Sequence, residues 1–294
     1  VAPAVRPAGG RPARYAAPRP GRDAARRTDG RPVIERLVPE GVARAEAFDD
    51  VLPRLPDPRE LALLRGRPER VVRQFAAARA CAHRCLDALG APPGPLLRTA
   101  DGGPAWPAGV VGSVTHCAGY RGAVAARAEV WAALGVDAEP ALPLPPGVLG
   151  LVASGRERRM VARLTAERPG IPWDRLLFSA KEAVYKAWHP ATRRWIGTRA
   201  VEVTFTAGGL LTAAVRPDRT PPPGARHRWR EGSPASGVTG TWESGGVAAR
   251  YSGRWCAEDG LLVTAVAVPA TAPHPEPPAG VRGPGPRWAA RLSA

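Results

Sequence analysis

Proline and glycine decide where this chain can fold. Of its 294 residues, 35 are Pro and 33 are Gly, and they are dense in three stretches that carry no hydrophobic period: residues 1–31, 217–249 and 269–294. Pro removes a backbone donor and Gly loses the most conformational entropy on ordering, so such stretches rarely build helix or sheet. Residues 1–31 also hold eight Arg and two Asp; they are expected to form a disordered basic tail, dispensable for folding. Residues 269–294 read as a second loose tail and 217–249 as a long surface excursion. A core must therefore come from residues 32–268.

Within that span helical and strand periods alternate. The segment PERVVRQFAAARACAHRCLDALG places Val72, Phe75, Ala76, Ala82, Leu86 and Leu89 at helical spacing and stops at Gly90. Strand-like GVVGSVTHCAGYRGAVAARA and LGVDAEP follow, then helical SGRERRMVARLTAE and PWDRLLFSAKEAVYKAW. Two hairpins are predicted after these, around Gly208-Gly209 and around Asp259-Gly260. Helix followed by strands thus occurs twice, which predicts an α+β chain of two similar halves, residues 32–145 and 146–268.

The net charge of +16 calls for an anionic partner, although part of the excess sits in the N-terminal tail. A nucleic-acid-binding protein is the alternative that this charge raises. It would interleave aromatics with a basic stripe, whereas the nine Trp are scattered. No run of about 18 apolar residues offers a membrane span, and a cytoplasmic monomer without nucleic-acid or membrane partners is expected. Four cysteines are too few for a disulfide scaffold. Cys81, His83 and Cys85 have no second cluster at zinc spacing, so buried thiols are expected there. No GxxxxGK[ST] loop supports nucleoside triphosphate chemistry.

Lys181 and Lys186 are the only lysines among 42 cationic residues. Lysine differs from arginine in being a compact point charge that can give up a proton, which matters most in a reaction centre. Glu182 lies between them. In LGVDAEP, Asp137 and Glu139 are two apart and so point to the same side of a strand; like charges held together need a cation. Three carboxylates describe a hard-cation site, with Mg²⁺ its expected occupant. Plainer readings stand beside this one: a solvated strand end for Asp137 and Glu139, an i,i+4 surface pair for Glu182 and Lys186, and a capping box for Ser179 and Glu182. Neither of the last two explains the lysines. Thr115 and His116 end a strand about twenty residues before the carboxylate pair, close enough to reach the same site and bind phosphate.

Taken in order, WPAGVVGSVTHCAGYRGAV, GVDAEP and FSAKEAVYKAW resemble the Sfp-type 4′-phosphopantetheinyl transferases, in the actinobacterial branch akin to the enterobactin synthase transferase component. The resemblance covers roughly residues 33–268, with 44 residues from Asp137 to Lys181. It implies a pseudo-two-fold pair of α+β halves with coenzyme A in the cleft between them. It also implies transfer of the phosphopantetheine arm to a serine of an apo acyl or peptidyl carrier protein, releasing adenosine 3′,5′-bisphosphate. Asp137, Glu139, Glu182 and the backbone of Ala138 correspond to the metal site, Glu182 to the base and Lys186 to the residue that steadies the pyrophosphate. Thr115, His116, Arg79 and Arg98 correspond to coenzyme A contacts. Lys181, about 140° round the helix from Lys186, is expected to bind coenzyme A or the carrier protein instead. The family's basic position before Phe75 reads Val71 and Val72, which leaves Arg70 or Arg73 to substitute.

Overall fold

The computed structural model describes residues 32–50, 57–206, 208–216 and 249–270. Residues 1–31, 217–248 and 271–294, and with them nearly all of the two expected tails and of the surface excursion, lie outside these; Pro269, expected in the C-terminal tail, ends a strand, and Ala249, expected in the excursion, opens one. The elements are β1 (Ala43–Ala47), α1 (Pro58–Ala62), α2 (Glu69–Ala88), β2 (Val110–Cys117), β3 (Tyr120–Arg127), β4 (Trp131–Pro140), α3 (Val148–Val152), α4 (Gly155–Glu167), α5 (Trp173–Thr192), β5 (Val201–Phe205), β6 (Leu210–Val215), β7 (Ala249–Glu258) and β8 (Leu261–Pro269). This is the predicted α+β class.

Both hairpins form where the turn residues require. Asp259 and Gly260 have φ of 50° and 74°, the paired positive values of the tight turn that matches strand twist. Gly90 ends α2 at φ 63°. Pro172 stands at the N-cap of α5, where a missing N–H costs nothing. Ser154 and Glu157 close a capping box on α4; Ser179, for which the same pattern stood as a plainer reading, lies inside α5, where its hydroxyl bonds Thr264 at 2.9 Å.

The strands form two antiparallel sheets, ordered β1-β3-β2 and β4-β8-β7-β6-β5. The placement of β4 corrects the expected division at residue 145. β4 is an edge of the second sheet, with Asp137 opposite Thr264 and Glu139 opposite Leu262, so the sheets part in the turn between β3 and β4. One apolar cluster packs α2 on the three-stranded sheet through Cys81, Ala82, Cys85, Ala123 and Ala125. A second joins that sheet's other face to β4 and β8 through Val124, Ala126, Leu134, Val136 and Val263. The largest packs α4 and α5 on the far side of the five-stranded sheet. Trp173, fully buried, lies 5.0 Å from the Trp255 ring and 5.8 Å from that of Phe205.

Candidate active site

The free edge of β4 faces β2. A buried strand edge must find partners for its amides, and here hydroxyls supply them: Val136 N donates to Ser113 Oγ at 3.1 Å and Ala138 N to Thr115 Oγ1 at 2.9 Å. The strand that carries Thr115 thus lies beside the carboxylate strand, joined to it by hydroxyls rather than by sheet pairing. Ala138 lies within the strand rather than in a turn.

Asp137 and Glu139 share a face with Gly135, as period two requires, and α5 packs on that face. The approach is close because Gly135 has no side chain: a Cβ there would stand 1.9 Å from the Ala183 carbonyl oxygen. Lys186 reaches from α5 to β4, donating to Asp137 Oδ1 at 2.7 Å and to Val136 O at 3.0 Å. Thr115 Oγ1 lies 3.4 Å from the same Asp137 oxygen. Asp137 Oδ2 is buried with no hydrogen-bond partner.

Glu139 is held by a residue that sequence reading passed over. Arg175 donates to Glu139 Oε2 at 2.8 Å, to Leu142 O at 2.6 Å and to Pro143 O at 3.0 Å. The signal was its spacing, since positions 175, 182 and 186 share one helical face. Glu182 is nearly buried, and its pKa is pushed up to about 8, by burial first and then by the charges of Asp137 and Glu139, with Lys186 opposing. Burial and Asp137 likewise raise Glu139, against Arg175.

Among the described residues no three His, Cys, Asp or Glu side chains converge as a metal-holding group; Asp137 and Glu139 are each engaged by a cation instead. The donor chemistry still fits a hard divalent cation. Glu182 lies within reach of the charges of Asp137 and Glu139, Glu139 within reach of that of Asp137, all donors are oxygen, and Asp137 Oδ2 is unsatisfied.

A pH dependence follows from Glu182. Its folded pKa of about 8 exceeds the ordinary 4.5, so between these values the folded protein holds a proton that the unfolded chain has lost. The stability contribution is complete below 4.5 and is lost as pH rises through 8. In a chelator, Tm should fall from pH 5 to 8, and Glu182→Gln should flatten that fall. Parallel pH profiles for the two proteins would refute the assignment.

The other expected contacts are distributed less evenly. The His116 side chain is exposed to solvent. Desolvation, then the cations of Lys186 and Arg121, lower its pKa to about 4, so it is neutral at physiological pH. Arg79 and Arg98 flank one ring, 4.7 and 5.6 Å from the Phe75 centroid. Arg79 is buried, with Nε unpartnered. Its pKa falls to about 10, chiefly through desolvation, against the charge of buried Glu60. Arg73 is exposed and pairs with Glu69.

Lys181 does not reach the site. It is 1 % exposed, and its ammonium is surrounded by Val152 O, Glu157 Oε2, Thr198 O and Val201 O at 2.7 to 2.9 Å. In this arrangement the Lys181 ammonium is enclosed by the protein's own acceptors rather than turned to the acids that Lys186 faces. Cys81 and Cys85 are buried thiols whose pKa values burial pushes up to about 11 and 12. His83 bonds Glu60 at 2.7 Å.

The fold thus places Asp137, Glu139, Glu182 and Lys186 where β4 and α5 meet, and the family models name the class. The 4′-phosphopantetheinyl transferase N-terminal domain matches residues 59–126, and the 4′-phosphopantetheinyl transferase superfamily matches residues 133–234. The chain belongs to the 4′-phosphopantetheinyl transferase superfamily. Among its relatives, 4′-phosphopantetheinyl transferase Svp of Streptomyces mobaraensis is 44% identical over 249 residues, 82% of this chain and 91% of that protein. PptT of Mycobacterium tuberculosis is 43% identical over 173 residues, 59% of this chain and 75% of that protein. Npt of Nocardia iowensis is 42% identical over the same length, 59% of this chain and 77% of that protein.

Proposed function

We propose that the chain transfers the 4′-phosphopantetheine arm of coenzyme A to a serine of an apo carrier protein, with coenzyme A lying between the two sheets' halves and Mg²⁺ at the acid cluster. The observation that carries this reading is the buried, unpartnered Asp137 Oδ2 beside Lys186 and Glu182. Asp137, Glu182 and Glu139 would hold the metal, whose chemistry when bound is to neutralise pyrophosphate oxygens.

The protein's own groups do the rest. The serine oxygen forms its bond to the phosphorus of the arm while the bond to the bridging oxygen breaks, leaving adenosine 3′,5′-bisphosphate. Glu182 takes the serine proton, which it can do only as the ionised carboxylate, the form that a bound cation and the charge of Lys186 favour over burial. Lys186, 27% exposed, keeps its ammonium at the leaving phosphate as charge develops there. Arg79, Arg98, Thr115 and His116 bind the cofactor's phosphates. Incubation with coenzyme A, Mg²⁺ and an apo carrier protein, read by intact mass, tests the reading: a carrier that gains no phosphopantetheine overturns it.

Lys186→Arg refines the assignment. A planar guanidinium keeps the charge but not the compact point contact at 2.7 Å from Asp137. Turnover should fall about tenfold or more while the KM for coenzyme A changes little, because the lost interaction strengthens only as the leaving group forms. Near-normal kcat would remove Lys186 from the reaction centre.

A further inference from the structure

We propose that Lys181 is a positioning residue: its buried ammonium fixes the rotation of α5 about its axis, and so aims Glu182 and Lys186 at β4. The inference rests on the transfer reading above.

The geometry is that of an anchor. The four acceptors come from the end of α3, from α4, from the turn preceding β5 and from β5 itself. An ammonium presents three tetrahedral N–H bonds, and acceptors gathered around one atom suit it; a guanidinium spreads its donors in a plane. Glu157 is equally committed. Its Oε2 accepts from Lys181 at 2.9 Å and from Ser154 N at 2.8 Å, and its Oε1 accepts from Val203 N at 2.9 Å. The anchor is thereby tied to the capping box of α4 and to the fifth strand.

Neighbouring helical residues diverge by 100°, so the bond that holds Lys181 sets the direction in which Glu182 projects. A side-chain atom about 5–6 Å from the helix axis moves roughly 2 Å when the helix turns by about 20°. A misplacement of about 1 Å can cost a hundredfold in rate. On the opposite side of the helix the contact of Ala183 with Gly135 sets distance. Distance alone leaves rotation free.

Stability is a poor reason for this pair. Desolvation lowers the Lys181 pKa, with Glu157 opposing, and buried ion pairs are often replaceable by neutral groups at no net cost. The retention of lysine here, in a chain that otherwise uses arginine, is explained by the shape of the cage.

The experiment compares Lys181→Met, Glu157→Gln and the double variant with wild type, by carrier-protein transfer kinetics at temperatures where circular dichroism shows each folded. Gln at 157 removes the charge and keeps one of the two backbone contacts, from Ser154 N or from Val203 N, because only its amide oxygen accepts. Lys181→Met should lower Tm and reduce kcat at least about thirtyfold, with the KM for coenzyme A within about twofold. The double variant, free of a lone buried charge, should recover much of the Tm but not the kcat. Three results would overturn the proposal: a kcat that recovers together with Tm, a folded Lys181→Met with normal kcat, or a rise in KM for coenzyme A with kcat preserved, which would make Lys181 a ligand contact. Failure of wild type itself to transfer would instead refute the transfer reading. If Lys181→Met does not fold, the double variant decides alone, normal kcat counting against the anchor.

Discussion

Asp137→Ala should abolish transfer while leaving the protein folded. The substitution removes the oxygen that accepts from Lys186 and the one that has no partner in the protein. It also removes one of the charges that, after burial, raise the Glu182 pKa. The metal site, the alignment of the lysine and the strength of the base therefore fail together, and a loss of at least about a hundredfold in kcat/KM is expected. The fold should survive for three reasons. Thr115 still accepts from Ala138 N, Val136 O still accepts from Lys186, and Lys186 is exposed enough to recruit water. Transfer rates together with a thermal melt check this. Full activity in the folded variant would remove Asp137 from the site.

Gly135→Ala is expected to be nearly as damaging, although residue 135 carries no chemistry. Its Cβ would sit 1.9 Å from the Ala183 carbonyl oxygen and 3.1 Å from Ala187 N, and both are backbone atoms of α5 that no rotamer change can move. The helix must retreat by about an ångström to restore even a 3.0 Å contact. Overpacking of this kind costs up to about 3 kcal/mol or somewhat more, or roughly 6–12 °C in Tm for a domain of 150–250 residues. The larger effect is on turnover. Glu182 and Lys186 flank the displaced turn, and a shift of about 1 Å can cost a hundredfold. A variant that keeps wild-type kcat would show that α5 need not touch β4 this closely.

Much of the site could be read from spacing because spacing is local. Asp137 and Glu139 share a face because a strand repeats every two residues, and Lys181 and Lys186 diverge because a helix turns 100° per residue. Arg175 was legible by the same rule, seven positions before Glu182, yet arginines are so common in this chain that one more carried little signal. The capping-box pattern occurs at both Ser154 and Ser179, and only the helix that begins at residue 155 uses it.

The sequence by itself determined the α+β class, the two hairpins, the extent of α2 and the start of α5, and it singled out Asp137, Glu139, Glu182 and Lys186, which the fold places where β4 and α5 meet. Tertiary structure alone decided that β4 pairs with β8, from residue 131 against residue 269 to residue 140 against residue 261, and so belongs to the second sheet. It alone decided that Lys181 is buried while Lys186 reaches Asp137, and that Arg79 is enclosed rather than solvated. The physical reason is that a period reveals which residues share a face but not what that face will meet. The partner strand, the desolvation of a charge and the acceptors around an ammonium all come from segments far away in the chain, and they exist only once those segments have packed.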